Sequence, residues 1–285
     1  MVAFPSMTVP QLVSRCTRLP VCPVLFTRLT HALQDRTQNI CELANIVSMD
    51  PALTVKVLRA ANGAYYGLSK TVRSVDDAII RLGFEEIFSI TAASRTKELF
   101  ASTDQWEGFG QNCWSHAVCT AVFARTLARK VLPRQVEDAY YTAALLHDFG
   151  KLVFSQIDIS YTLLCDYGAI FGDVLVEREM SRYGANHAHL GSELLRQWSL
   201  PQLIVNAVEV HHHPVYAGET LEPARMVLIA ADFLAHGVRS TGAEGVFNEA
   251  PPLPEYLARG LNITPEEQPL VVAEAARQIV MLENI

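Results

Sequence analysis

The sequence predicts an all-α protein built as a bundle of helices. Strand signals are scarce, because alternating runs of β-branched and polar residues bounded by turn pairs are hard to find along the chain. Helix start and stop signals are frequent, and apolar residues recur between them at helical spacing. Half of the 285 residues are apolar, which allows a sizeable core and excludes a disordered or collagen-like chain.

Capping signals predict two helices in the first third of the chain. The dipeptide Asp-Pro at 50–51 places an N-cap before a proline at the first helical position, and Asn-Gly at 62–63 ends the apolar repeat that follows. The sequence SVDD at 74–77 has the form of a capping box that opens the segment AIIRL, and Gly83 closes it.

Apolar spacing and proline starts predict further helices in the rest of the chain. A proline-rich stretch, APPLPEYL at 250–257, marks a joint before a final amphipathic helix near 265–282. The other predicted helices cover residues 112–130, 134–148, 187–198, 201–212 and 223–236.

Charge and cysteine usage restrict the location of the protein and its partners. The chain has 23 Lys and Arg against 30 Asp and Glu, a net charge of −7, so we expect no nucleic-acid partner. No apolar run approaches the about 18 residues of a membrane-spanning helix, and the N-terminal sequence does not have the form of a signal peptide. For this reason we expect no contact with a membrane. Six scattered cysteines without a CxxC pair indicate reduced thiols, which predicts a cytoplasmic protein.

Histidines and aspartates able to bind a metal are spaced along the second half of the chain. They come from separate predicted elements, mostly from apolar helix faces, which predicts one buried metal site inside a helical bundle. Imidazole combined with carboxylate suits divalent transition metals better than magnesium. The candidate residues are His116, His147, Asp148, His187, His211, His212, His213 and Asp232.

Each candidate also has a simpler interpretation when it is considered alone. Asp232 lies in the apolar stretch MVLIAADFLA, where it is either a buried carboxylate that needs a partner or the polar stripe of an exposed helix face. His187, which follows the potential N-cap Asn186, could be a surface residue of a first helical turn. For His189, a surface position is the favoured interpretation. The triplet at 211–213 could instead interact with a helix C-terminus as charged histidines.

Six stretches of sequence accompany this order of histidines and aspartates: DPALTVKVLRAANGAYYG (50–67), SVDDAIIRLG (74–83), CWSHAV (113–118), AALLHDFGK (143–151), YGANHAHLGSELLRQWSLP (183–201) and AVEVHHHP (207–214). Together they resemble the HD superfamily of metal-dependent phosphohydrolases and, within it, the HD-related output domain family, HDOD. The resemblance spans about residues 18 to 215. It implies an HD-domain-like helical bundle with an N-terminal helical subdomain.

This resemblance divides the chain into four segments and implies two packed helical subdomains. An N-terminal extension (1–17) precedes the N-terminal helical part of the HDOD domain (18–110). The HD-like part with the metal site follows (111–240), and a linker with a helix completes the chain (241–285).

The resemblance also assigns roles to individual residues. Lys151 matches a lysine that contacts phosphate in active relatives, so it and Asp148 are the implied catalytic residues. Glu179 matches an acidic position of the family pattern. His213 and Pro214 align with the HH-P ending of the pattern, which leaves His211 outside the ligand set. The implied ligands are His116, His147, Asp148 and Asp232 for one ion, with His187, His212 and His213 for a second ion in two-metal members.

Two functions of different classes follow, both with one or two divalent transition-metal ions, iron favoured over manganese, nickel or zinc. The first is a signal-transduction protein with a signalling protein as its partner and at most weak phosphohydrolase activity. The second is an active phosphohydrolase on a nucleotide or another phosphoester. A metal or oxygen sensor that uses the same ions is a weaker third alternative. After His213 the chain reads PVYAGET, without the GYP segment of cyclic-dinucleotide phosphodiesterases. Beyond Lys151, the sequence offers Arg178, Arg182 and Arg196 as further cations near the ligands.

The predicted fold class is open to a direct spectroscopic check. The far-ultraviolet circular-dichroism spectrum should be dominated by helix, because capping signals and helical periodicity extend over most of the chain. A spectrum dominated by strand would contradict the prediction.

Overall fold

Helices and turns account for the secondary structure throughout the described part of the chain, and no strand occurs there. A computed structural model describes residues 8–15, 40–63, 71–101, 106–166, 173–212, 222–237 and 250–283. The all-α prediction is therefore confirmed. No helix within these ranges combines the length and apolar character needed to cross a membrane.

Side-chain caps fix the boundaries of the helices in the first third of the chain. The Asp50 carboxylate accepts hydrogen bonds from the backbone N–H groups of Ala52 and Leu53, at 2.8 and 3.0 Å. The Ser74 hydroxyl accepts one from the N–H of Asp77 at 3.1 Å, so both predicted caps are present. The helices are α1 (Val9–Arg15), α2 (Ile40–Ser48), α3 (Pro51–Ala61), α4 (Val75–Leu82) and α5 (Phe84–Ala101).

The longest described helix, α6 (Gln111–Val131), lies at the centre of the fold. A π-helical turn at Trp106–Gly110 leads into it, and α7 (Glu137–Leu146) packs along it after a 3₁₀ turn at Arg134–Val136. Most side chains of α6 are buried, because neighbouring helices cover it on several sides.

The helix predicted over 134–148 is shorter in the structure. Its chain leaves the α-helical path at Asp148 (φ −92°, ψ 6°) and starts a new helix, α8 (Phe149–Ile157). The break separates two helices whose ends meet at the dipeptide 147–148. The candidate ligands His147 and Asp148 therefore lie in a turn and not on a helix face. The helix predicted over 201–212 likewise ends at Glu209, and residues 210–212 form a turn.

The last helices surround this core. Helix α13 (Pro223–Gly237) and the C-terminal α15 (Gln268–Glu283) both pack against α6, so the segment predicted as a linker and helix contributes to the core. The remaining helices are α9 (Tyr161–Asp166), α10 (Asp173–Tyr183), α11 (His187–Gln197), α12 (Gln202–Glu209), α13 (Pro223–Gly237), α14 (Glu255–Gly260) and α15 (Gln268–Glu283).

Two glycines let the first turns of α8 and α11 approach each other backbone to backbone. A Cβ atom added to Gly150 would lie 2.0 Å from the carbonyl oxygen of His187, which no side chain can accommodate. A Cβ on Gly191 would lie 3.2 Å from the Gly150 nitrogen. The missing side chains therefore bring the start of α11 next to the turn at 147–148.

The Asp50 cap provides a test of the N-terminal part. Asp50 also forms an ion pair with Arg95 of α5, so Asp50→Ala should lower the free energy of unfolding by about 1–2 kcal/mol. Hydrogen bonds from the Leu53 N–H and from Arg95 hold the pKa of Asp50 below its usual 3.8. Because the charged form is stabilised in the folded state, this contribution is present above pH 3.8 and is lost as the pH falls below it.

Urea denaturation at several pH values measures the difference between wild type and variant. Glu266→Ala, which removes an exposed carboxylate, is the matched control and should change the free energy of unfolding by less than about 0.5 kcal/mol. A difference for Asp50→Ala that is unchanged between pH 7 and pH 3 would contradict the assigned role of the carboxylate.

Candidate metal centre

Five parts of the fold place histidine and aspartate side chains around one buried point. His116 extends from α6 and Asp232 from α13. The dipeptide 147–148 forms the turn between α7 and α8, and His187 begins α11. The dipeptide 211–212 lies in the turn that follows α12. We call these side chains the histidine–aspartate cluster.

One half of the cluster surrounds the Asp148 Oδ2 atom. His147 Nε2 lies 3.4 Å from that oxygen and His116 Nε2 lies 3.8 Å from it. Asp232 Oδ1 completes this half, at 2.8 Å from His116 Nε2 and 3.5 Å from His147 Nε2. Asp232 is thus buried and paired with histidines, and it does not form the polar stripe of an exposed helix face.

The other half surrounds the second oxygen of the same carboxylate. His187 Nε2 lies 3.3 Å from Asp148 Oδ1 and His211 Nε2 lies 3.9 Å from it. Together with His212 these residues offer ligand atoms within 4.8 Å of one another. Asp148 therefore presents one oxygen to each half of the cluster.

Hydrogen bonds at the outer nitrogens turn the inner nitrogens of three histidines towards the cluster. His147 Nδ1 donates to the Ala144 carbonyl at 2.7 Å, and His211 Nδ1 donates to the Val208 carbonyl at 2.6 Å. His187 Nδ1 donates to the carboxylate of Glu179 at 2.8 Å. Each Nε2 therefore faces the cluster. Burial lowers the pKa of His147 and of His187, but Asp148 raises the first and Glu179 raises the second by more, so both lie above the usual 6.5.

Glu179 is the residue that holds His187 in place. It is fully buried, and besides the imidazole it accepts the backbone N–H of His187 at 2.9 Å and the hydroxyl of Tyr161. Sequence resemblance pointed to Glu179 without a role, and the structure places it one layer outside the cluster, on α10. A carboxylate behind a ligand histidine fixes its ring orientation and raises its basicity.

The inner atoms of the cluster are buried and lack hydrogen-bond partners among the described residues. They are Asp148 Oδ1 and the Nε2 atoms of His147, His187 and His211. An unsatisfied buried polar atom costs about 1–3 kcal/mol. These atoms fit a site for one or two cations, because divalent ions in the two halves of the cluster would satisfy them. The donor set of imidazole nitrogens and carboxylate oxygens is one that transition metals accept.

The protonation states of the cluster favour a bound cation. Burial raises the pKa of Asp148, but His147 and Lys151 lower it by more, so it lies well below the usual 3.8. Burial lowers the pKa of His212 to about 3 and takes that of His211 well below its usual 6.5. At neutral pH Asp148 is therefore charged, and both histidines of the turn are neutral. A neutral imidazole gains little from a helix C-terminus, so the helix dipole does not account for His211 and His212.

Lys151 is the cation closest to the cluster carboxylates. Its Nζ donates a hydrogen bond to Asp148 Oδ2 at 2.7 Å. Burial lowers the pKa of Lys151, but the Asp148 carboxylate raises it by more, so the net shift is upwards and the amine stays charged. A cavity of about 190 Å³ opens beside this pair. Its lining residues are Phe109, Asn112, Cys113, His116, Asp148, Lys151, Cys165 and His236.

The three arginines considered from the sequence do not line this cavity. Arg182 forms an ion pair with Asp158 at 2.5 Å, and Arg196 pairs with the carboxylates of its own surface region. Arg178 is exposed on α10. Among the described residues that line the cavity, Lys151 is therefore the sole lysine or arginine.

The structure places one residue differently from the family pattern and adds a residue that was missed. His211, which the pattern leaves outside the ligand set, lies within the cluster, where its buried Nε2 faces Asp148. His213 lies outside the described residues. His187 is buried, whereas His189 is exposed as expected, and the Asn186 side chain caps α11. His236 was missed, although its position four residues after Asp232 on one helix was a usable signal.

Comparison with known proteins identifies the family of the chain. The family model for the HDOD domain matches residues 19–214, more than half of the chain. The chain belongs to the HDOD family.

Solved structures share the fold of this HDOD protein. An HDOD domain protein of unknown function from Geobacter sulfurreducens superposes with a TM-score of 0.71 at 22% identity, covering 97% of this chain and 95% of that one. A Shewanella amazonensis SB2B protein, described as a proposed metal-dependent phosphohydrolase, gives a TM-score of 0.61 at 19% identity, covering 96% and 95%. At these identities the likeness concerns the fold.

Curated relatives of the HDOD protein are longer chains. An uncharacterized protein of Treponema pallidum (strain Nichols) is 25% identical over 213 residues, 73% of this chain and 40% of that protein. Ribonuclease Y 1 of Pediococcus pentosaceus is 28% identical over 167 residues, 58% of this chain and 26% of the enzyme. The chain thus spans two fifths or less of the length of these relatives.

The Asp148–Lys151 ion pair of the HDOD protein can be tested without any metal. In chelator-treated protein, Asp148→Asn should lower the free energy of unfolding by about 3 kcal/mol, because it leaves the Lys151 charge buried without its partner. Adding Lys151→Met to that variant should recover part of the loss, since it removes the uncompensated charge. Urea denaturation of wild type, both single variants and the double variant measures the coupling. Strictly additive effects of the two substitutions would contradict a direct pair.

Proposed function

We propose that this HDOD protein is a cytoplasmic signal-transduction protein whose histidine–aspartate cluster binds one or two divalent transition-metal ions, with iron favoured. The observation that carries the proposal is the set of four buried, unpartnered polar atoms that converge in the cluster. Such a set is costly to fold unless a cation satisfies it. The two oxygens of Asp148, one facing each half of the cluster, support room for two ions that share this carboxylate.

We further propose that hydrolytic activity is weak. Transfer of a phosphoryl group requires several positive charges around its oxygens, and Lys151 is the sole lysine or arginine among the described residues that line the cavity. Its Nζ already donates a hydrogen bond to Asp148, so its positive charge would be shared between that carboxylate and a bound phosphate. The arginines nearby in sequence are exposed or bonded elsewhere.

A signalling role would give the helices before α6 a function as a binding surface for a partner. The described residues of α2–α5 contribute nothing to the histidine–aspartate cluster or to the cavity. We propose that they bind a signalling protein, with exposed apolar side chains such as Met49 and Ile80 among the contacts. Neither a membrane nor a nucleic acid is part of this proposal.

An active phosphohydrolase is the second candidate, and the cavity beside the cluster favours it. Divalent ions in such a site would neutralise phosphoryl oxygens and make water more acidic. Lys151 would hold one phosphate oxygen, and the Asn112 amide on the cavity wall could bind the rest of a phosphoester or nucleotide. Relatives named Ribonuclease Y make an RNA phosphodiester one substrate to include in a test.

Metal content is the first test. Protein purified without chelator or histidine tag should carry one or two transition-metal ions per chain by elemental analysis, and chelation should lower the melting temperature. Asp148→Ala should lose most of this metal, because its carboxylate faces both halves of the cluster. His189→Ala, which removes an exposed histidine, is the matched control and should retain it. A wild type without metal, or an equally loaded and folded Asp148→Ala variant, would refute metal binding.

Turnover distinguishes the two candidate functions. Metal-loaded protein should hydrolyse nucleotides, cyclic dinucleotides, RNA and an aryl phosphodiester at rates below about 1 s⁻¹, the lower end of the usual enzyme range. The reason is the shortage of positive charge at the cavity. Faster turnover that Asp148→Ala and Lys151→Met both abolish would establish the phosphohydrolase instead.

A further inference from the structure

His236 lies one helical turn beyond Asp232 on α13, directly against the histidine–aspartate cluster. Its Nε2 is 3.3 Å from Asp232 Oδ1, and its ring stacks on His116 with centroids 4.2 Å apart and planes inclined by 26°. The ligand atoms of these three residues lie within 4.8 Å of one another. Residues four positions apart share a helix face, so α13 itself aims both side chains at the same point.

His236 lines the cavity, as His116 does, and the other described histidines of the cluster do not. The His236 side chain is one-quarter exposed, whereas those of His147 and His187 are completely buried. His236 therefore lies between the cluster and the space that a substrate would occupy.

We propose that His236 is an additional ligand of the ion held by His116 and Asp232. This assignment rests on the proposed metal-binding function. With His147 and Asp148, that ion would have five protein ligands in place of the four that the sequence resemblance implies. Catalytic sites keep coordination positions open towards the substrate, whereas structural sites are closed by protein ligands. A fifth ligand on the cavity side would hold the ion firmly and leave little room for a reacting water.

Cobalt(II) is a suitable probe, because its visible absorption depends on the number and type of its ligands. Titration of metal-free protein with Co²⁺ should give an affinity about 10–100-fold lower for His236→Ala than for wild type, together with a changed visible spectrum. Added imidazole should return the spectrum of His236→Ala towards that of the wild type, because it replaces the missing ligand. Replacing a side chain that only supports the fold would produce no such rescue.

His189→Ala is the matched control, since it removes an exposed histidine and should leave both affinity and spectrum unchanged. His236→Gln provides a second variant that retains more side-chain volume, and circular dichroism verifies that each variant is folded. Wild-type binding with the same affinity and spectrum in the folded His236 variants would overturn this assignment alone. Absence of Co²⁺ binding by the wild type would overturn the metal-binding function and this assignment together.

Discussion

A charged carboxylate in the interior, that of Asp148, is the constraint on which the rest of the structure depends. Only 2% of this residue is exposed, and a buried charge is tolerated only when other groups compensate it. Lys151 supplies the opposite charge from one side, and imidazoles surround the remaining oxygen positions. The break between α7 and α8 follows from the same requirement, because it turns Asp148 towards the cluster and places Lys151 one turn further along.

Helix ends and turns provide much of the cluster, while His116 and Asp232 extend from within helices. Backbone contacts fix the geometry of the parts at helix ends. Carbonyl groups of the preceding turns fix the rings of His147 and His211, and Glu179 fixes the ring of His187. Close contact between Gly150 and the backbone of His187 sets the distance between the two halves. A ligand set supported in this way keeps its geometry without a metal, so little reorganisation is needed to bind one.

The same arrangement offers many potential metal ligands but few positive charges that could bind a phosphate. Ligands are abundant around Asp148, yet a single lysine is the basic group among the described residues of the cavity wall. Arg182 could have served a phosphate by its place in the sequence, but it is paired with Asp158 instead. Under the proposed function, an ion in this cluster would serve the structure or a signal, and phosphoester turnover would be slow.

The sequence by itself determined the all-α fold and the helix boundaries at Asp50 and Ser74, because capping and helical periodicity are local properties of the chain. The order of histidines and aspartates also identified most members of the cluster and the family. Tertiary structure decided which groups meet: it brought His211 inside, added His236 and gave Glu179 its role. Those outcomes depend on the directions in which side chains point. Packing between helices that are distant in sequence sets these directions, and residue spacing along the chain does not encode them.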